Sequence, residues 1–273
     1  MKVAIVAVIV VGICAVAIFV VVPAMVRGAI GIGVAKDWRE RVLLRYQNLC
    51  GEGGFPIVSG TFAWVFAWFK MRLDPMFREL PGILEGMKGI RTVLDIGCGY
   101  GVAGCAVLEW REEVEIVGID PEPKRVRAAG AAFGSRGRAL VGSAPEFEMA
   151  GLPDRFDAVF VLDVIHFISD SGLDLTLQKI RGRMGDGGWL VIRAIIPPKD
   201  GGSWAWKFAR VRRAVTGAYA CHRPVEKIKT MIERAGFEVE KSEMSGGNRE
   251  MVWFIARAHP GVLHSEPRES GRR

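Results

Sequence analysis

The chain has 273 residues, half of them hydrophobic, with a formal net charge of +7 and a pI near 9.3. That length excludes two large domains and suits one α/β core with an attached segment. The basic balance suits an anionic partner, but no nucleic-acid-binding motif is present, and Arg27, Lys36, Arg39, Arg41 and Arg45 cluster behind an apolar N-terminus, where acidic headgroups would meet them.

From Val3 to Val26 no residue carries a charge. As a helix, 24 such residues would reach about 36 Å, enough for a hydrocarbon core of about 30 Å. A cleaved signal peptide would carry a shorter apolar run, and Pro23-Ala24-Met25 makes a poor cleavage site. One transmembrane helix over residues 1–27 is therefore expected. Only Lys2 precedes it, so the positive-inside rule puts the remainder of a single-pass protein in the cytoplasm. The five cysteines, at 14, 50, 98, 105 and 221, form no C-x-x-C pair, as a reducing compartment would allow, and no metal is expected.

Residues 28–88 read as a helical, aromatic juxtamembrane segment. Within it, Gly60 to Phe69 (GTFAWVFAWF) runs into Lys70 and Arg72, a pattern that fits either a membrane interface or a helix lidding the next domain.

From residue 89 to 258, short β-branched runs alternate with helical stretches, the pattern of a parallel sheet covered on both faces. Strands are expected near Thr92 to Ile96, Glu115 to Ile119, Ala139 to Val141, Ala158 to Leu162 and Trp189 to Arg193. A Trp-rich insertion (201–216) and a helix (Val225 to Ala235) follow, then strands Phe237 to Glu243 and Met251 to Ala256 as an antiparallel hairpin. The tail, 259–273, has the composition of a disordered segment.

Four stretches carry chemistry. Val93 to Gly101 reads as a buried strand opening into a glycine loop, Asp95-Ile96-Gly97-Cys98-Gly99-Tyr100-Gly101, where backbone can approach a ligand closely. Gly99, Gly101 and Gly104 also satisfy the G-x-G-x-x-G dinucleotide pattern, which leaves a nicotinamide-dependent oxidoreductase open. Asp95 argues against it, because a carboxylate there repels a pyrophosphate and suits a ligand bearing an amino group and a sulfonium. Asp120-Pro121 ends the second strand, where an acid can bridge two ribose hydroxyls or cap a helix. Ser143-Ala144 follows the third strand, where an adenine would lie or a plain turn would serve. The fourth strand delivers Asp163, a candidate for contacting the cofactor, and His166 to the crevice, and His166 is the side chain nominated as general base should the acceptor be a hydroxyl.

In this order, the four stretches resemble the class I S-adenosylmethionine-dependent methyltransferases over roughly Arg91 to Ala258. The resemblance implies a Rossmann-like seven-stranded sheet with a C-terminal antiparallel hairpin, and S-adenosyl-L-methionine as cofactor. It implies that Asp95 to Gly101 wrap the methionine half, Asp120 holds the ribose, and Ser143 and Ala144 flank adenine. A narrower likeness rests on Phe69 to Phe77, Cys221-His222-Arg223-Pro224 and Glu243 to Gly247, which are similar to methyltransferases of aryl polyene and related fatty-acid-like biosynthetic clusters. That likeness implies a hydrophobic aryl or acyl acceptor, and a membrane span widens it to lipid-like acceptors. Arg72 and the aromatics before the domain, with Trp204, Trp206 and Tyr219, are candidates for the acceptor wall. A membrane-bound nucleoside-binding module without turnover stays the third reading.

Overall fold

The computed structural model describes residues 37–47, 49, 57–147, 151–198, 202–203, 206, 219–247 and 250–260. The expected transmembrane helix, most of the Trp-rich insertion and nearly all of the tail lie outside these residues. Among the described residues, no helix is long and apolar enough to cross a membrane.

Three helices lead in: α1 (Trp38–Gln47), α2 (Ile57–Leu73) and α3 (Met76–Gly86). The α/β body follows as β1 (Thr92–Ile96), α4 (Val102–Trp110), β2 (Glu115–Asp120), α5 (Pro123–Phe133), β3 (Gly137–Val141), β4 (Phe156–Leu162), α6 (Asp170–Arg181), β5 (Met184–Ile195), α7 (Val225–Arg234), β6 (Phe237–Met244) and β7 (Met251–Ala258). The seven strands form one sheet in the order β3-β2-β1-β4-β5-β7-β6. Strands β1 to β5 run parallel, and β7 slots between β5 and β6, antiparallel to both.

Side chains alternate across this sheet as the pleat requires. Ala158, Phe160 and Leu162 of β4 join Trp189, Val191, Trp253 and Ile255 beneath α1 to α5. Val159 and Val161 join Leu190, Ile192, Val252 and Phe254 on the opposite face. With both faces covered, the central strands read as unbroken apolar runs, which made them visible in the sequence. Strand β5 starts five residues earlier than its apolar run, at Met184, because Gly185, Gly187 and Gly188 carry no strand signal while Met184 still pairs with Phe156 past a register shift.

The lead-in helices pack onto the body. Helix α3 buries Met76, Phe77, Leu80, Ile83 and Leu84, each stabilising by about 1.5–3 kcal/mol. Tyr46 of α1 is fully buried and donates its hydroxyl to the carbonyl of Tyr100 at 2.7 Å. Of the five basic residues expected at acidic headgroups, Arg27 and Lys36 lie outside the described residues, and the other three contact the body. Arg41 and Arg45 each reach Glu109 at 2.6 Å, and Arg39 donates to the carbonyl of Phe77 at 3.2 Å. Helix α2 serves as the lid. Ala63, Trp64, Val65, Ala67 and Met71 are buried, while Phe62, Phe66, Phe69 and Leu73 form an exposed stripe.

Candidate active site

The C-terminal ends of β1, β2, β3 and β4 open into one cleft of ≈ 740 Å³, roofed by Phe66 and Lys70 of α2 and by Met76. Ligands bind at this edge of open α/β sheets, because the βα loops there diverge and leave a crevice.

The floor is the glycine loop. The amides of Gly97 and Cys98 donate to the carbonyl of Ile119 at 2.7 and 3.0 Å, tying the loop to β2. Gly97 has φ +76°, and a Cβ there would lie 2.2 Å from a methyl of Val164. Only glycine satisfies both constraints. Gly99, at φ +56°, has open space where a Cβ would be, so a ligand can approach its backbone.

Asp95 sits at the end of this floor, 2% exposed, and its Oδ2 has no hydrogen-bond partner among the described residues. Burial, then the neighbouring Asp120 carboxylate, push its pKa up to about 7, with Lys70 pulling the other way. A buried, unpartnered carboxylate is costly in isolation and is relieved by a cationic donor. Asp120, at the end of β2, accepts from the amide of Gly99 at 3.0 Å through Oδ2 and from the amide of Glu122 at 3.0 Å through Oδ1. Glu122 itself caps α5, so Asp120 is left to shape the cleft.

Pro121, Ser143 and Ala144 complete the wall after β2 and β3, with Ser143 exposed to the opening. Asp95, Ile96, Gly97, Cys98, Gly99, Tyr100, Asp120, Pro121, Ser143, Ala144 and Asp163 all line the cleft. Gly101 contributes differently, as the left-handed N-cap of α4.

His166 does not line the cleft. It lies on a single turn of 3-10 helix, Ile165–Phe167, where its ring is buried 4.0 Å from that of Phe167 and stacks on His222 at 5.7 Å. The turn aims Phe167 into the cleft and His166 behind it. Arg72 is likewise turned away and covers the Trp68 ring at 4.8 Å. Trp206 packs on His222 at 4.6 Å, Tyr219 is exposed away from the cleft lining, and Trp204 lies outside the described residues.

The residues that sequence reasoning missed come from the lid and the far strands. They gather around Asp163, which the sequence did place in the crevice and which has φ +60°, an uncommon conformation for a residue with a side chain. Its Oδ2 accepts from Arg193 Nη1 at 3.0 Å and lies 3.6 Å from Lys70 Nζ. Arg193 is fully buried and also donates to both Asp74 oxygens, at 3.1 and 2.7 Å, and to Ser245 Oγ at 3.0 Å. Ser245 Oγ donates to Glu79 Oε2 at 2.6 Å, and Trp253 Nε1 donates to the same oxygen at 2.7 Å. Burial would raise the Asp74 carboxyl, but Lys70 and Arg193 outweigh it and hold it below the ordinary value. Asp163 ends on the other side of that balance: burial outweighs Arg193 and Lys70 and raises it. The one available signal was that Phe69 to Phe77 and Glu243 to Gly247 were both singled out in the sequence; here they meet.

Residues 94–190 match the family described as Methyltransferase domain. The ubiquinone biosynthesis O-methyltransferase of Azorhizobium caulinodans is 36% identical over 95 residues, 34% of this chain and 36% of that protein. The chain thus matches about a third of that relative's length. Among solved structures, an O-methyltransferase family protein from Burkholderia thailandensis aligns with a TM-score of 0.58 and 17% identity, covering 84% of this chain and 64% of that one. An O-methyltransferase from neocarzinostatin biosynthesis, solved with S-adenosylmethionine and 2-hydroxy-5-methyl naphthoic acid, aligns at 0.53 and 17%, covering 78% and 60%. These structural likenesses establish the fold. Together with the sequence match, they support the resemblance to class I methyltransferases that the glycine loop and its acids carry.

Proposed function

We propose that this chain, whose residues 94–190 match a methyltransferase domain, binds S-adenosyl-L-methionine in the cleft and transfers its methyl group to a hydroxyl oxygen of a hydrophobic, lipid-like acceptor. The observation that carries the reading is the buried, unpartnered Asp95 Oδ2 beside a backbone left open at Gly99. Such a pair suits a ligand whose amino group needs an anion and whose remainder lies against bare peptide.

The residues present fit that ligand. Asp95 would take the amino group, Gly97 to Tyr100 the methionine chain, Asp120 the ribose hydroxyls, and Pro121, Ser143 and Ala144 the adenine side. When bound, the cofactor supplies an electrophilic methyl carbon on a sulfonium. The chain's own work is to hold an acceptor oxygen in line and to keep water out, so most of its contribution is alignment. Phe66, Met76, Tyr100 and Phe167 give the cleft an apolar mouth suited to such an acceptor.

The 24 uncharged residues from Val3 to Val26 support a membrane anchor, with the domain on the cytoplasmic side. A bilayer-resident acceptor would then reach a mouth flanked by the exposed Phe62, Phe66 and Phe69.

Full-length protein in its own membranes, supplied with methyl-labelled S-adenosylmethionine, should put label into a solvent-extractable product that resists mild base, as an ether does. A base-labile product would point to carboxyl methylation, and no extractable label would count against the lipid-like acceptor. Alkaline carbonate washing should leave the full-length chain in the membrane pellet; release would remove the anchor.

A further inference from the structure

The roof of the cleft carries a charged group that faces the end of β4. Lys70, on α2, and Asp163, at the end of β4, both line the cleft, with 3.6 Å between Nζ and Oδ2. The Asp163 oxygens are not equivalent. Oδ2 is held by Arg193, while Oδ1 is buried and has no partner among the described residues. Arg193 cannot swing to follow a ligand, because Asp74 and Ser245 fix it in a fully buried position. Lys70 keeps donor capacity, since an ammonium carries three hydrogens and Asp74 Oδ2 takes one at 3.1 Å.

We propose that Lys70 and Asp163 form an acceptor-activating pair for an aryl hydroxyl: Asp163 Oδ1 receives the hydroxyl proton and Lys70 holds the oxygen as its negative charge develops. This rests on the methyl-transfer reading above and names its acceptor class. The oxygen then forms a bond to the methyl carbon while the carbon–sulfur bond breaks. The electron pair of that bond stays on sulfur, which becomes a neutral thioether. The proton ends on Asp163 and leaves to solvent with the product.

The chemistry selects the class. An amine acceptor would gain nothing from a neighbouring ammonium and would be repelled once positive. An aliphatic hydroxyl is too weak an acid for a carboxylate to ionise, whereas a phenol-like hydroxyl titrates at about 10 in water. The burial that raises Asp163 narrows that gap, and Lys70 narrows it from the other side. A flat ring also suits the walls, since Phe66 and Tyr100 lie with ring centroids 5.0 Å apart and Phe167 faces the same cleft.

The test uses the full-length protein in detergent, saturated with S-adenosylhomocysteine, and 4-nitrophenol as probe, whose visible absorbance reports its own ionisation. Lys70→Met should raise the apparent pKa of the bound probe by about one unit, because a cation is lost, and Asp163→Asn should lower it by a similar amount, because an anion is lost. Charged groups left in place, Asp74, Arg193 and Asp95, are common to all three proteins. A merely structural role would not move the probe in opposite directions. Failure of the probe to bind the loaded wild-type protein, no change in either variant, or shifts of the same sign would overturn the pair. S-adenosylhomocysteine affinity within about twofold of wild type in both variants separates this from the cofactor reading: if the wild-type protein fails to bind S-adenosylhomocysteine at all, that reading falls and the pair falls with it.

Discussion

Arg193 on β5 and Asp74 at the end of α2 are 119 residues apart in sequence and close a two-point ion pair at 2.7 and 3.1 Å. Because Arg193 also reaches Asp163 and Ser245, one buried guanidinium ties the lid, the cleft wall and the edge hairpin together. Bidentate geometry makes this an arginine site rather than a lysine one.

Arg193→Met would leave the Asp74 and Asp163 carboxylates without their buried guanidinium, with only the partly exposed Lys70 between them. Removing one member of a buried charge cluster costs about 3–5 kcal/mol, so denaturant unfolding should show a loss of that size. Asp74→Asn, which keeps the shape and one acceptor, should cost less. Equal small losses in both would mean that solvent already screens the network.

Gly97→Ala places a methyl group against Val164 and an alanine in left-handed backbone. The conformation alone costs about 1–2 kcal/mol, and the contact at 2.2 Å forces the loop to shift. S-adenosylhomocysteine affinity should fall tenfold or more. The double variant Gly97→Ala, Val164→Ala should recover part of it, since it removes the clash and leaves the backbone strain.

Asp95 makes binding depend on pH in a stated direction. Its carboxyl is raised from 3.8 to about 7 by burial and by Asp120, so at lower pH it is protonated and offers no anion to an amino group. Affinity for S-adenosylhomocysteine should rise about tenfold per unit up to about pH 7 and then level, and Asp95→Asn should be weaker and flat. Stability runs the opposite way. Between about 4 and 7 the folded state holds a proton that the unfolded state has released, so this contribution is present at low pH and is lost as pH rises. The stability of Asp95→Asn relative to wild type should therefore improve across that window. A rise in wild-type affinity on acidification would contradict the assignment.

What was legible in the sequence was local. Asp95, the glycines and Asp120 announce themselves because a strand, its loop and the next strand end are written consecutively, and one cleft collects all of them but Gly101, which caps α4 instead. The hairpin was legible because β7 is a nearly continuous apolar run, while Phe237 and Val239 of β6 alternate with charged residues as an edge strand's do. The Asp74–Arg193–Ser245–Glu79 network was not, because charged residues show no periodicity and its members meet only once β7 has inserted beside β5. His166 was nominated by residue type, and a single helical turn decides that Phe167, not His166, faces the cleft. The five basic residues after the apolar segment were read by position alone, which cannot reveal that Glu109 takes two of them.

Calorimetric titration of the detergent-solubilised full-length protein with S-adenosylhomocysteine and, separately, NADH, repeated with Asp120→Ala, shows whether the cleft is built for S-adenosylmethionine. S-adenosylhomocysteine should bind, NADH should not, and Asp120→Ala should weaken binding by about ten- to a hundredfold, as expected for losing charge-assisted bonds worth about 1.5–3 kcal/mol. Binding of NADH alone, or S-adenosylhomocysteine binding indifferent to Asp120→Ala, would mean that the cleft serves another ligand.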